Sequence, residues 1–429
     1  MEVDILDIDM SCQKKNDINE KYFLNHLVLQ SNGTRKENSS QIPCLKVFKK
    51  YLIVLGQYSY QTELSHKVII TVIVGCVMSL LIPAILQFFS SLRENDIDTA
   101  MDCIPVSVSV INSMIKILNH NIYRKKFENI FERMTRLWEI AEVNGELQIL
   151  KEVIDEGSQM GTLYRSSLWI FVSLFLCIPL SSFALDIIVP LNESRPRVSL
   201  FKLNYIMDME DHFYIVYLHS ACCALNVVLI VTTMDSLYMV IIHYSCGLFA
   251  LCGYQIQKVA EDMDLNSDNT RISSVKYERL KRCVKTHYEA IKFYEYMEES
   301  TRIGYLFQVG FNMIGITATA VQAVANFDRP AEAFRIVMFL CGQQFHLYAL
   351  SLPGQELMDR SAGLIDAIYS SKWYQTPIKF QRVLEIMQIR CSRPCKLTAG
   401  GLYEMNIENF GSMIKTCVSY FTVLLSLRG

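Results

Sequence analysis

Apolar residues along the chain gather into runs of roughly bilayer-spanning length, separated by charged stretches that keep helical character. The first run, 68–89, holds about 22 residues without a charge, enough at ~1.5 Å per residue to cross a hydrocarbon core. Pro83 predicts a kink inside it. A second run, 99–118, contains Asp102, Pro105 and, near its end, Lys116, so hydropathy alone does not establish it as a span. The third, 167–189, is closed by Pro190. Residues 212–251 are apolar for about 40 positions, ~60 Å of helix and twice the hydrocarbon thickness, which predicts a helix running on past the membrane. A charged stretch, 255–300, bends at a polar segment and returns as a fifth span over 303–325; a sixth follows over 334–352. The seventh element is split: 355–388 is amphipathic and charged, and 401–427 is apolar enough to cross. Two further segments are amphipathic: an interfacial helix over 41–60 bearing Lys46, Lys49 and Lys50, and a solvated helical stretch over 119–165.

In the last helix Ser412, Thr416, Ser419, Val423 and Ser426 recur at spacings of four, three, four and three, so at about 100° per residue they share one stripe. Two readings fit that spacing. Around a symmetry axis with copies or relatives of itself, the stripe forms a weakly polar, uncharged pore wall. Alternatively the hydroxyls mediate close helix packing or bond back to their own backbone.

Half of the 429 residues are apolar, which agrees with a helical membrane protein carrying a large part outside the bilayer. A formal charge of −2 gives no reason to expect a nucleic-acid partner. The first residues lack a cleavable-signal layout, so the first span is expected to act as its own anchor. Lys and Arg number 31 on the side of the N-terminus and 7 on the other, an asymmetry that puts the N-terminus in the cytosol and the C-terminus outside. The fourteen cysteines avoid the expected outer segments, which argues against an extracellular disulfide framework. Cys391 and Cys395, spaced CSRPC with no second pair, are a weak metal signal, and no metal or cofactor is expected.

No enzyme is indicated. The eight histidines form no HExxH, and there is no phosphate loop and no GxSxG. His219, His243 and His346 read as packing or hydrogen-bonding residues, and Asp235 is costly if it lies at membrane depth. A cytosolic N-terminus also inverts the chain relative to G-protein-coupled receptors, and no inverted repeat supports a transporter. A ligand pocket is expected at the outward ends of the spans, from Met101, Ile104, Val108, Phe183, Ile187, Phe213, Tyr214, Tyr217, Val337, Met338 and Cys341. Such a cavity suits a small, volatile, apolar or lipid-like molecule, and the same residues equally suit ordinary core.

The segment 361–425 resembles the signature region of insect odorant receptors, through Ser361, Ala367, Tyr369, Trp373, Tyr374, Leu384, Met387, Pro394, Leu397, Ala399, Gly400, Phe410, Lys415, Ser419, Tyr420, Phe421 and Thr422. The resemblance implies an odorant-gated cation channel subunit that assembles as a heterotetramer with a shared coreceptor in the plasma membrane of olfactory neurons. It implies that Trp373 and Tyr374 pack in a cytosolic anchor domain where subunits meet. It also implies that Val423 stands at a hydrophobic gate, with Ser426 and Leu427 beside the outer mouth. The missing long insertion between spans four and five makes the chain look like a tuning receptor rather than the coreceptor, and its ending, SLRG, is unlike that of gustatory receptors, the runner-up.

The expected layout is thus an all-α, seven-helix membrane protein of inverted topology. Residues 1–66 form a cytosolic segment, 67–353 the first six spans with cytosolic extensions, 354–400 an anchor, and 401–429 a pore-lining helix. Topology is tested by glycosylation: Asn192 should carry glycan, and Asn32 and Asn38 should not. Modification of Asn32 or Asn38 in a glycosidase gel-shift assay overturns the orientation.

Overall fold

The computed structural model describes residues 42–58, 61–188, 199–207, 211–261 and 270–428; Asn32, Asn38 and Asn192 lie outside them. Almost everything described is helix. The run begins with α1 (Pro43–Val54), α2 (Glu63–Ser79), α3 (Leu81–Arg93), α4 (Ile97–Ile122) and α5 (Arg124–Val143). Four long helices follow: α6 (Leu147–Ile188), α7 (Phe213–Glu261), α8 (Thr270–Ala325) and α9 (Pro330–Ser370). Among the described residues, five helical stretches are long and apolar enough to cross a membrane: 63–93, 97–122, 147–180, 213–261 and 276–325.

Local chemistry accounts for the boundaries. Leu80 separates α2 from α3, three residues before Pro83, whose ring opposes the Ser79 carbonyl and whose nitrogen cannot donate to it. Asp96 starts α4 by accepting the Thr99 amide at 3.1 Å. In α5 the buried positions Phe127, Ile130, Met134, Trp138 and Ala141 follow helical spacing, and their face lies on the bundle. Ile42, Leu45, Phe48, Leu52 and Leu55 bury the corresponding face around α1, while Arg165 lies over the Phe48 and Tyr51 rings at 5.7 and 5.1 Å.

The axis of the molecule is α7. From Thr232 to Phe249 its side chains are buried all round, so its lower half is a core helix rather than a solvated extension. It packs along α6, where Gly157 and Gly161 form a small-xxx-small face: a Cβ at Gly157 would collide with the His243 ring, and one at Gly161 would lie 3.4 Å from Ser236. Ser236 Oγ donates to the Gly161 carbonyl at 3.0 Å across the same contact.

Three boundaries differ from the hydropathy reading. The third span is the second half of a 42-residue helix, because the charged residues of 147–166 are all compatible with continued helix. The sixth span does not stop at Leu352; α9 continues through Pro353 and Gly354 to Ser370. The last helix begins at Ile407 rather than Gly401, since Gly400 and Gly401 adopt φ of +66° and +76° in the turn of a small hairpin.

After α9 come a 3₁₀ turn at Trp373–Gln375 and α10 (Ile378–Cys391). The hairpin pairs β1 (Thr398–Ala399) with β2 (Tyr403–Glu404) and leads into α11 (Ile407–Arg428). It docks on α8 through the Gly400 amide, which donates to the Arg302 carbonyl at 2.9 Å, and through Thr398, which donates to the Glu298 carboxylate by both its amide and its hydroxyl. A Cβ at Gly354 would overlap the Met405 carbonyl oxygen, a backbone atom held by the hairpin. Gly354→Ala should therefore destabilise the protein by about 1–3 kcal/mol through overpacking. Gly363→Ala, in the same helix with open space around it, should be neutral or stabilising. Thermal unfolding of the two purified variants compares them; equal melting temperatures refute the contact.

Candidate functional site

An acid in the middle of the bundle organises the site. Asp235 of α7 is fully buried, and three side chains from three other helices converge on its carboxylate. Lys116 of α4 donates to Oδ1 in an ion pair, Tyr164 of α6 donates its hydroxyl to Oδ2 at 2.8 Å, and His346 Nε2 of α9 lies 2.9 Å from Oδ2. One carboxylate thus ties α4, α6, α7 and α9 together. Gln308 Nε2 of α8 stands 3.4 Å from His346 Nε2 at the edge of the cluster.

Beside this cluster lies a cavity of about 190 Å³. Its wall is mostly apolar and drawn from the same helices, with Val106 and Val110 from α4, Leu168, Phe171 and Phe175 from α6, and Val227, Val228 and Val231 from α7. Met338, Phe339, Gly342, Gln343 and His346 come from α9. His346 therefore touches both the cavity and Asp235. The remaining polar lining comes from Ser109, Asn112 and Asn312. A second, smaller cavity of about 50 Å³ shares Val106, Phe175, Phe201 and Phe339 with the first, and adds Asp102, Lys202 and Arg335.

The segment 199–207 closes that side. Arg335 donates to the Ser199 and Leu200 carbonyls, both at 3.1 Å, and Lys202 pairs with Glu332 at 2.6 Å and with Asp102 at 3.8 Å. This explains a charge inside the second span: Asp102 faces a lysine, not lipid. Phe201 then packs against Phe175, their rings tilted by 40° with centroids 5.6 Å apart.

Of the residues expected at the ligand site, Met338 lines the main cavity. Val108 is buried against α8, where a Cβ at Gly315 would come within 3.2 Å of it. Met101 and Ile104 are half-buried in the first turns of α4. Phe213 stacks on Tyr217, whose hydroxyl donates to the Leu176 carbonyl at 2.9 Å, while Tyr214, Val337 and Cys341 are exposed. The side chains of Phe183, Ile187 and Leu427 lie outside the described residues. The cavity wall in α6 and α7 sits roughly ten residues, ~15 Å, further into the bundle than the expected ring. Asn112, Asn312, Gln343 and His346, polar residues inside apolar helices, were the signal for that depth.

On α11, Met413 and Cys417 are buried against the bundle, and the rings of Phe410 and Tyr348 lie 5.5 Å apart. Ser412, Ser419, Val423 and Ser426 are exposed on another face, and Thr416 is half-buried. Thr416 and Ser426 donate back to the carbonyls of Ser412 and Val423, at 3.0 and 2.8 Å. Trp373 packs partly into the core, and Tyr374 is exposed. Cys391 and Cys395 are buried free thiols, each pushed up to about 11 by desolvation. They are therefore protonated at neutral pH and poorly suited to metal. Among the described residues no group of three or more His, Cys, Asp or Glu is placed to hold a metal ion.

Long apolar helices around a largely apolar cavity are the make-up of a helical membrane protein able to hold a small apolar molecule. The family model described as 7tm Odorant receptor matches residues 96–418, and the chain belongs to that family. It is accordingly an odorant receptor and not an enzyme. It is 23% identical to "Odorant receptor Or2" of Anopheles gambiae over 340 residues, covering 74% of this chain and 84% of that receptor. A shorter match, 20% identical over 149 residues, reaches the "Odorant receptor coreceptor" of the same mosquito and covers 35% of this chain and 31% of that protein. The fold resembles that of the olfactory receptor OR5 from Machilis hrabei, solved in complex with eugenol, with a TM-score of 0.71 and 15% identity over 90% of this chain and 98% of that one.

Lys116→Met should cost about 3–5 kcal/mol, because it leaves the Asp235 charge buried without its cation. The double variant Lys116→Met/Asp235→Leu should recover much of that loss. Thermal unfolding of the unaltered chain, the single variants Lys116→Met and Asp235→Leu and the double variant measures it, and additive losses would show that the two residues do not interact.

Proposed function

We propose that the chain is the odorant-binding subunit of a ligand-gated, non-selective cation channel that works with a shared coreceptor. It would act in the plasma membrane of olfactory sensory neurons, surrounded by membrane lipid. In this reading it crosses the bilayer seven times with its N-terminus in the cytosol, α9 and α11 completing the five more apolar spans. The seventh element is split, with 354–400 as the cytosolic anchor and α11 as the pore helix. A small volatile ligand binds in the 190 Å³ cavity, whose apolar lining suits such a molecule. Met338 is the contact carried over from the expected ring.

The observation that carries the channel reading is the exposed stripe on α11. Its subunit uses the Met413 and Cys417 face for packing and leaves Ser412, Ser419, Val423 and Ser426 uncovered, Val423 at 52% exposure. Around an axis, that face would line a pore with Thr416 between Ser412 and Ser419, Val423 as the constriction and Leu427 near the mouth. Tyr374, exposed beside the partly buried Trp373, is free to meet a neighbouring subunit in the anchor.

Recording from cells that express the chain with and without a coreceptor tests the function: odorant-evoked cation current is expected on co-expression alone, and a response that requires a G protein refutes it. Within the channel, Val423→Ala should raise the current without ligand, whereas Ile414→Val, on the packed side, should leave it unchanged. Equal effects from the two would remove Val423 from the pore.

A further inference from the structure

Two asparagines from different helices meet in the wall of the 190 Å³ cavity. Asn112 of α4 and Asn312 of α8 are only 5% and 4% exposed, and Asn112 Nδ2 donates to Asn312 Oδ1 at 3.0 Å. That bond leaves Asn112 Oδ1 and Asn312 Nδ2 without a partner in the protein. Turning both amides over gives the same bond in the opposite sense, and again one acceptor and one donor remain free. The outcome does not depend on which amide atom is oxygen. Neighbouring wall residues such as Val106, Val228 and Phe171 have no polar group to offer. Buried amide atoms left this way carry their full desolvation penalty until something in the cavity meets them.

We propose that this pair is a hydroxyl-recognition site, and that the molecule the cavity accepts is a small alcohol or phenol on an apolar body. Its O–H donates to the free amide oxygen while its oxygen accepts from the free amide N–H. The inference rests on the reading of the cavity as the odorant site and narrows the ligand class. An apolar cavity of about 150 Å³ holds benzene, so the space here takes one ring or a short chain with a single hydroxyl. An ether or ketone accepts but cannot donate, which leaves the amide oxygen unmet. A hydrocarbon meets neither atom. A carboxylate would arrive charged in a wall whose one imidazole, His346, is already committed to Asp235.

Benzyl alcohol, benzyl methyl ether and ethylbenzene share a ring and differ in offering donor and acceptor, acceptor alone, or neither. Their binding to the purified full-length chain, read as ligand-dependent thermal stabilisation, should weaken in that order. About fivefold per neutral hydrogen bond gives roughly 30-fold between alcohol and hydrocarbon. The double variant Asn112→Leu/Asn312→Leu replaces both amides with apolar groups of similar shape, so it should keep ethylbenzene binding and lose the alcohol preference. Equal binding of the three probes by the unaltered chain overturns the proposal, as does binding of none, or a preference that survives in the variant. The unaltered chain decides the matter by itself if the variant does not fold. Evoked currents with a coreceptor separate this inference from the channel reading: preferential binding without current refutes the channel and leaves the asparagine site standing, and current without preference does the reverse.

Discussion

A single carboxylate placed where water cannot reach it constrains the bundle. Asp235 lies in the apolar interior, and an uncompensated charge there is expensive enough that its three partners must be in place for the fold to hold. Lys116, Tyr164 and His346 reach it from α4, α6 and α9, so the relative depth and rotation of four helices are fixed by groups that all need the same two oxygens. Hydrophobic packing alone is tolerant of sliding and rotation; a hydrogen-bonded ion pair is not. The glycine face of α6 serves the same end, letting that helix come close enough to α7 for the Tyr164 hydroxyl to reach its acceptor.

The cavity inherits its shape from that constraint, because the helices that Asp235 ties together are those that wall it. His346 belongs to both. A ligand shifts a conformational equilibrium only through contacts that differ between the two states, and an apolar molecule in a rigid apolar pocket has few such contacts to offer. In the proposed channel the imidazole would supply one: a ligand pressing on His346 would act on its distance to Asp235, and through it on the position of α9 relative to α7. From there α9 runs unbroken to Gly354, against the strand segment that leads into the last helix. In the proposed channel, this is a continuous physical connection from cavity to α11.

Much of this was legible in the chain before folding was considered, and what was not has identifiable reasons. Long uncharged runs announce helices, and Pro83 announces the break at Leu80, because each signal is local. The fourth helix could be read to run past the membrane, but not that its far half would be buried on all sides, since burial there comes from α6, α8 and α9. The pairing of Lys116 with Asp235 joins positions 119 apart and cannot be seen without tertiary structure. Each residue alone was visible as an anomaly in an apolar run. The cavity lies deeper than the helix ends, where aromatic residues cluster in the sequence. Phe213 and Tyr217 stack on each other there and Tyr217 bonds the Leu176 carbonyl, while of the polar residues in the cavity wall His346 reads from sequence as a packing or hydrogen-bonding residue. Asp102 erred in the opposite direction: it weakened the second span on a hydropathy scale and turns out to face Lys202.

The stripe on α11 began with two readings, and the structure changes the relation between them. Thr416 and Ser426 do bond back to their own helix, which is the packing-neutral arrangement. A hydroxyl that donates its proton inward, however, keeps acceptor lone pairs directed outward. At Thr416 and Ser426 the helix therefore presents an acceptor oxygen rather than a donor hydrogen, and in the proposed channel such positions would favour cations over anions without any formal charge. Back-bonding and pore lining are therefore compatible in the proposed channel rather than exclusive. In the proposed channel Val423, which interrupts the hydroxyls and is also exposed, would be the one position in the stripe with no oxygen to offer a permeating cation.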